Sequence, residues 1–541
     1  MRDARIPLED TVTRGHMKNK KDVNRRDFIK GTAVGVGVAA VGSTLISSQI
    51  AQADVAEPGW QQATVPQISP SQIKETITAD VVVVGAGISG MCATLTAMQA
   101  GAKTVVLEKG ETYFARGFDD GCVNSSVHKE AGVFIDRDEL IGELMRQANY
   151  RADQRLITMW VDHSGEAMDW LRATVAPKGV IASLGPVEVQ KEGPYKVYRT
   201  AVNWTGQNAQ LMSVLEGIVK EKGGDIRYKT PGVQLVRQGN GRVTGVIAKT
   251  EDGNYVRFNA RKGVILSTGG YDNNPEMMKK YLRPSDLRIE RYNSVSKICT
   301  GDGHNMGMAI GADMDEPPHA LIVGNGVLNN KDEFYLVMFT PWLRVDKFGR
   351  RYVNEDSDYC RAANANAILP GRFNWSILDS RWSEGPGQNA DYVNYVKKQM
   401  ERYVKEGILL VADTLDELAK KIQANPEVFK TTVARYNELA KNKKDIDFGV
   451  AGDKMKPLEK PPFYAVQVRN FALISISGLK INEKMQVLDK EGESIPGLYA
   501  SGNTSGGFFA DTYPRNVHGI SHGRAITFGR LAGKNAAAEK A

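Results

Sequence analysis

Ala79-Asp80-Val81-Val82-Val83-Val84 runs directly into Gly85-Ala86-Gly87-Ile88-Ser89-Gly90, and this junction decides the fold. An unbroken β-branched run is what a parallel strand buried on both faces needs. After Gly90 the pattern is helical as far as Gly101, and a second strand, Lys103 to Leu107, ends at Glu108. The glycines give a tight turn, a close backbone approach and close helix–strand packing. The helix N-terminus adds amide donors and positive potential, which suit a pyrophosphate. Glu108 follows Gly90 by 18 residues, where a carboxylate accepts from ribose hydroxyls. The unit reads as a dinucleotide-binding βαβ with Gly85, Gly87, Ile88, Ser89, Gly90, Glu108 and the adjoining Lys109 as contacts.

Upstream of this unit lies a leader. Asn24-Arg25-Arg26-Asp27-Phe28-Ile29-Lys30 precedes a weakly apolar stretch, Gly31 to Ile50, and then Ala51-Gln52-Ala53. Basic segment, apolar segment and small-residue site come in the order of a signal peptide. The Arg25-Arg26 pair followed by Phe28 resembles the twin-arginine class. The apolar stretch is too rich in Gly, Ala, Ser and Thr for a stable membrane span. Met1 and Met17 both stand as starts, because residues 1–16 add nothing a leader needs. The expected boundaries are a signal peptide over 1–53 and a linker over 54–76. Twin-arginine export carries folded proteins, which fits a chain that binds its cofactor before it leaves the cytoplasm.

The length of 541 residues suggests two or three lobes. Net charge is +7, but residues 1–53 hold nine Lys/Arg against five Asp/Glu, so the remainder carries +3. Without a basic block in that remainder, nucleic acid is not an expected partner. Cys92, Cys122, Cys299 and Cys360 form no CxxC pair and no haem-attachment motif, and read as thiols.

The far C-terminus chooses between cofactors. Ile495 to Asn503 reads as a strand, and Gly519 to Gly533 as a helix. A strand and helix that return to the dinucleotide site suit a two-domain flavoprotein. A helix N-terminus beside the flavin would stabilise its anionic reduced form.

Five ordered blocks then resemble the flavoprotein superfamily of fumarate reductase and succinate dehydrogenase, with the 3-ketosteroid dehydrogenase-like branch nearest in motif. They are Gly85–Gly90 with Glu108, Val264–Tyr271, Thr300–Gly303, Gly349–Glu355 and the C-terminal pair. The resemblance covers residues 75–540 and implies an α/β fold: a Rossmann-type (GR2-like) FAD-binding domain with an inserted α+β capping domain. We expect the FAD-binding domain over 77–324 and 471–541, the cap over 325–470, and a small β-rich part over 224–270. It further implies FAD contacts at Gly121, Thr268, Gly269, Gly270, Asp302 and Asn503, held non-covalently.

Departures from fumarate reductases sharpen the reading. Tyr359 stands where those enzymes place a proton-delivering arginine, and Ile474 where they place a carboxylate-binding histidine. Thr512-Tyr513-Pro514-Arg515-Asn516 replaces their C-terminal Asn-Arg-Leu-Gly-Gly element. Ketosteroid dehydrogenases have tyrosines matching Tyr359 and Tyr513, so the resemblance implies ketone or enone substrates. Reduction of C=C beside a carbonyl needs a hydride source, a proton for the α-carbon and a donor to the enolate oxygen. Tyr359 is the expected proton donor. Tyr513 is the expected carbonyl donor, assisted by amides around Gly519.

Arg361 either lowers the phenol pKa of Tyr359 or is a surface charge. Arg515 either binds a substrate carboxylate or makes a solvated ion pair. His518 either lines the substrate pocket or is a satisfied loop histidine. His518 and His522 are spaced i, i+4, but no third ligand accompanies them, so no metal is expected.

Export places the enzyme outside the cytoplasm, where NADH is absent. The expected direction is reduction, with electrons from a separate multihaem cytochrome or quinol-linked membrane protein. The opposite direction, a ketosteroid-type dehydrogenase, stays open, as does a non-catalytic flavin electron carrier.

Overall fold

The computed structural model describes residues 65–114, 117–185, 196–289, 291–292, 297–327, 342–384, 390–510 and 513–540. The chain divides into two compact units, Met1–Gly59 and Trp60–Ala541, and every described residue belongs to the second. The leader expected over 1–53 and most of the linker lie outside the described residues.

An eight-stranded sheet forms the first lobe. Ile73–Val84 lies between Thr104–Leu107 and Tyr255–Leu266, parallel to both. Asp225–Arg227 extends one side and Ser494–Ala500 the other, again in parallel, and Gln486–Leu488 closes the latter edge antiparallel. Val81 to Val84 are buried, as their β-branched run requires. The hairpin Gly232–Arg237 and Val243–Lys249 pairs with the outer half of Tyr255–Leu266, within the β-rich segment expected over 224–270. Helix Ile88–Gln99 packs between the sheet and the C-terminal helix Ile520–Ala538. The Val84–Ile88 turn and the Gly519–Ile520 turn therefore open toward a common space.

A six-stranded sheet carries the second lobe, and its spine is the 13-residue strand Phe463–Ser475. Leu321–Gly326, Phe373–Leu378 and Leu409–Ala412 pair with it antiparallel. One core of this lobe gathers Leu343, Ile377, Phe429 and Tyr436; another gathers Trp342, Leu378, Tyr403 and Val466. These strands begin at Arg291 and end at Ser475, beyond both limits of the 325–470 cap read from sequence. The long strand recruits every segment that matches its register, and register is a tertiary property. A small sheet of Asp120–Gly121, Ala201–Trp204 and Ala182–Leu184 was not anticipated. All four cysteines are buried thiols. Among the described residues, no helix is long and apolar enough to cross a membrane.

Candidate functional site

The glycine-rich turn is built by contact. Gly85 has φ +107°, and a Cβ there would lie 2.3 Å from the Ser267 carbonyl oxygen. A Cβ at Gly90 would lie 1.9 Å from the Gly85 carbonyl oxygen. Gly87 caps helix Ile88–Gln99, and a Cβ there would meet nothing within 4 Å, so this side of the turn is open. Glu108 is buried, and its Oε2 accepts from the Ala86 amide at 2.8 Å and its Oε1 from the Gly110 amide at 2.7 Å. The carboxylate thus ties the end of the second strand to the turn and keeps lone pairs for ribose hydroxyls. Lys109 donates to Asp302 at 2.8 Å and to Thr300 Oγ1 at 2.6 Å.

Two cavities meet at this turn. One of about 570 Å³ is lined by Gly85, Glu108, Lys109, Thr268 and Asp302. Another of about 630 Å³ is lined by Ile88, Ser89, Asn208, Asn503, Ser521 and His522. Gly87, Phe114, Ser267, Gly269 and Cys299 line both, which makes one trough. A carboxylate at one end, an open helix N-terminus in the middle and a largely apolar end edged by Asn208, Asn503 and His522 fit FAD: adenosine, pyrophosphate and flavin in that order.

Ten of the sequence-derived cofactor residues line the trough: Gly85, Gly87, Ile88, Ser89, Glu108, Lys109, Thr268, Gly269, Asp302 and Asn503. Gly90, Gly121 and Gly270 do not. Gly90 sits behind the turn, and Gly270 packs on Ser475, whose Oγ accepts from the Tyr271 amide at 2.8 Å. Gly121 donates its amide to the Gly519 carbonyl at 2.8 Å, and a Cβ there would lie 2.6 Å from the His518 carbonyl oxygen. Its role is close packing of the small sheet against the start of the C-terminal helix. Sequence reasoning missed Phe114, Asn208, Ser267, Ser521 and His522, which come from four separate segments. It also missed Arg524, fully buried, which donates to the Gly502 carbonyl at 3.0 Å and to Asn503 Oδ1 at 2.9 Å and so fixes the loop at the flavin end.

Tyr513 is buried beside this end, its ring 5.8 Å from Phe509. Burial pushes its pKa up to about 12, opposed by Arg515 and by the Ser521 amide, which faces the hydroxyl. The phenol is therefore neutral over the ordinary pH range and keeps its hydrogen. His518 is neutral as well: burial, aided by Arg515, pushes its pKa down to about 3. Its Nδ1 is buried with no hydrogen-bond partner among the described residues. His518 precedes Gly519, the cap of helix Ile520–Ala538, so His518 and His522 do not share a helix face.

Tyr359 opens helix Tyr359–Ala367, capped by Asp358, which accepts from the Cys360 and Arg361 amides at 3.0 Å each. The Tyr359 side chain lies outside what is described. Its neighbours bring the helix to the Tyr513 loop: the Cys360 thiol feels both Asp358 and Arg515. Arg361 pairs with Asp358 and donates to Gln147 Oε1 at 2.6 Å. Ile474 lines the flavin end of the trough.

Residues 80–518 match the family model described as FAD binding domain. The chain is 27% identical over 484 residues to the vinyl phenol reductase of Lactiplantibacillus plantarum, spanning 85% of this chain and 96% of the relative. It is 28% identical over 477 residues to the fumarate reductase (cytochrome) of Shewanella frigidimarina, spanning 85% and 77%. The 3-ketosteroid-Δ4-(5α)-dehydrogenase of Rhodococcus jostii RHA1, solved with 4-androstene-3,17-dione, shares the fold with a TM-score of 0.69 at 24% identity, over 87% of this chain and 99% of that one. With the motif, the trough and the match over most of its length in agreement, the chain belongs to the FAD binding domain family of the fumarate reductase/succinate dehydrogenase flavoproteins and is an FAD-dependent oxidoreductase.

Proposed function

We propose that this enzyme reduces a C=C bond conjugated to a carbonyl, in an enone or unsaturated acid, outside the cytoplasm. The observation that carries this reading is the neutral, buried Tyr513 phenol beside the flavin end of the trough. FAD, bound without a covalent link, supplies the hydride chemistry that no side chain can. Tyr513 donates its hydroxyl hydrogen to the substrate carbonyl, where negative charge grows as the double bond is reduced. Tyr359, at the start of its helix, gives the proton to the α-carbon. Arg515, the uncharged His518 and the Gly519 turn line the substrate side. The six-stranded lobe acts as the cap over this cleft. Two relatives are named a vinyl phenol reductase and a fumarate reductase (cytochrome), which supports C=C reduction; electrons reach this enzyme from a separate donor. That donor is a multihaem cytochrome or a quinol-linked membrane protein, and the Arg25-Arg26 leader engages the twin-arginine translocase.

The likeness in fold to a ketosteroid dehydrogenase, together with Tyr513-Pro514, favours a second reading: the reverse reaction on a steroid-like ketone. One experiment separates these. Enzyme reduced anaerobically with viologen is mixed with fumarate, urocanate, cinnamates and steroid enones in stopped flow. Rapid flavin reoxidation by one enone or unsaturated acid supports the proposal. Reduction of oxidised enzyme by a saturated ketosteroid, without reoxidation by any acceptor, supports the dehydrogenase. No response to either leaves a flavin electron carrier.

A further inference from the structure

Ser89, Ser267 and Ser501 lie far apart in the chain, yet their hydroxyls meet. Ser89 Oγ donates to Ser501 Oγ at 2.8 Å, and Ser501 Oγ lies 2.9 Å from Ser267 Oγ. All three residues are buried. Ser89 sits in the first turn of helix Ile88–Gln99, Ser267 follows strand Tyr255–Leu266, and Ser501 follows strand Ser494–Ala500. The Ser501 amide donates to the Leu266 carbonyl at 3.0 Å, which holds the two strand ends side by side. This is the carboxyl edge of parallel strands, where α/β sheets take their ligands.

The hydrogens give the cluster a direction. Each hydroxyl carries one, and the two contacts use two of the three. Ser89 is the donor in the first contact. Were Ser267 the donor in the second, Ser501 would accept twice and its own hydrogen would be buried without an acceptor. Ser501 is fully buried, and its side chain makes no other hydrogen bond among the described residues. A buried donor left unmade is the costly arrangement. Ser501 therefore donates to Ser267, and the hydrogen left over is that of Ser267. Its hydroxyl has no other partner among the described residues, and Ser267 lines both cavities where they join at the middle of the trough.

We propose that Ser267 donates this hydrogen to a phosphate oxygen of FAD, and that Ser501 is the positioning residue that aims it. A hydroxyl that accepts one hydrogen bond is a better donor of the next, so the run Ser89 to Ser501 to Ser267 strengthens its last member. The acceptor at its end is an anionic oxygen, which makes the bond charge-assisted. The start of helix Ile88–Gln99 directs its amides and positive potential to the same place. The serines thus add a side-chain donor to a cradle otherwise made of backbone.

The inference rests on FAD lying along the trough with its pyrophosphate at the middle. The test is dilution of the holoenzyme, with the fluorescence of released FAD giving Kd, together with ³¹P NMR of the bound cofactor. In Ser267→Ala we expect Kd to rise about tenfold and one of the two phosphorus resonances to move. Ser501→Ala leaves the Ser267 hydroxyl in place but unaimed, so Kd should rise by less, about threefold. Added to Ser267→Ala, it should cost nothing further, because the two act through one bond. An unchanged Kd with unmoved resonances in Ser267→Ala overturns the proposal. An equal cost of Ser501→Ala in both backgrounds overturns the aiming role. Should Ser267→Ala not fold, Ser267→Cys, close in shape but a weak donor, is read in the same way. Glu108→Arg separates the two failures. Retention of FAD by that variant breaks the cofactor placement itself. Loss of FAD there, with an unchanged Kd in Ser267→Ala, breaks only the role of Ser267.

Discussion

Arg361 donates to Gln147 Oε1 at 2.6 Å, and this bond joins the helix that carries Tyr359 to helix Arg137–Gln147 of the other lobe. Gln147 also donates to Asn516 Oδ1, in the loop that holds Tyr513. One amide thus fastens both tyrosine-bearing segments. Gln147→Ala removes three hydrogen bonds, to Arg361, Asn516 and Glu143, worth about 1 kcal/mol each. We expect KM for the acceptor to rise about tenfold while FAD content and flavin absorbance stay the same. Steady-state kinetics and the visible spectrum check this, and an unchanged KM rules out the fastening role.

Glu108→Arg takes away the acceptor of the Ala86 and Gly110 amides and sets a cation in the path of the ribose. Hydrogen bonds to a charged group contribute about 1.5–3 kcal/mol each, so FAD affinity should drop by roughly 100-fold or more. The ratio of flavin to protein absorbance measures it. Acid precipitation of the wild-type enzyme should leave yellow FAD in the supernatant; colour in the pellet would mean a covalent link.

Tyr513→Phe deletes the proposed carbonyl donor. Turnover should fall by roughly 10²–10³-fold with the flavin spectrum intact. Because the phenol pKa lies near 12, the wild-type rate should show no titration of this group below about pH 11. Tyr359→Phe should cost roughly 10²-fold through loss of the α-carbon proton source. Full turnover in both variants would remove the tyrosines from the mechanism.

Stability should fall with acid in a defined window. Burial depresses the pKa of His304 and His319 to about 4, that of His518 to about 3, and also lowers that of His128. Folded values below the unfolded value near 6.5 mean a contribution present above pH 6.5 and lost as pH falls toward the folded values. Burial raises Asp315 to about 6, so that group acts in the opposite sense, favouring the folded state as pH drops from 6 toward 4. Each histidine contributes at most about 1.4 kcal/mol per pH unit. The net loss between pH 6.5 and 5 should be on the order of 3 kcal/mol per pH unit. Urea unfolding at pH 7, 6 and 5 measures the slope, which should flatten by about one proton in His319→Gln.

Export is tested without chemistry. Changing Arg25 and Arg26 to Lys keeps the charge but removes the receptor-read pair. Precursor should collect in the cytoplasm, and the wild-type mature N-terminus should be Asp54. Normal amounts of mature protein outside the cytoplasm would refute the twin-arginine reading.

The cofactor cradle was legible in the sequence because its parts are neighbours along the chain. Strand, Gly85–Gly90 turn, helix and Glu108 form one local unit, and the constraints on its glycines come from backbone a few residues away. Ile495 to Asn503 and the C-terminal helix were legible for the same reason. The wall around the flavin was not. His522 meets Asp120 across 402 residues of sequence and Asn208 across 314, and no spacing rule links such positions. Nor does any local pattern link Leu321–Gly326 to the second sheet, which it joins only through register with Phe463–Ser475. Gly121 shows the two levels meeting at one residue. The sequence marked it as special, but only the packing of the small sheet on the start of helix Ile520–Ala538 showed why: backbone approaches there within the radius of a Cβ.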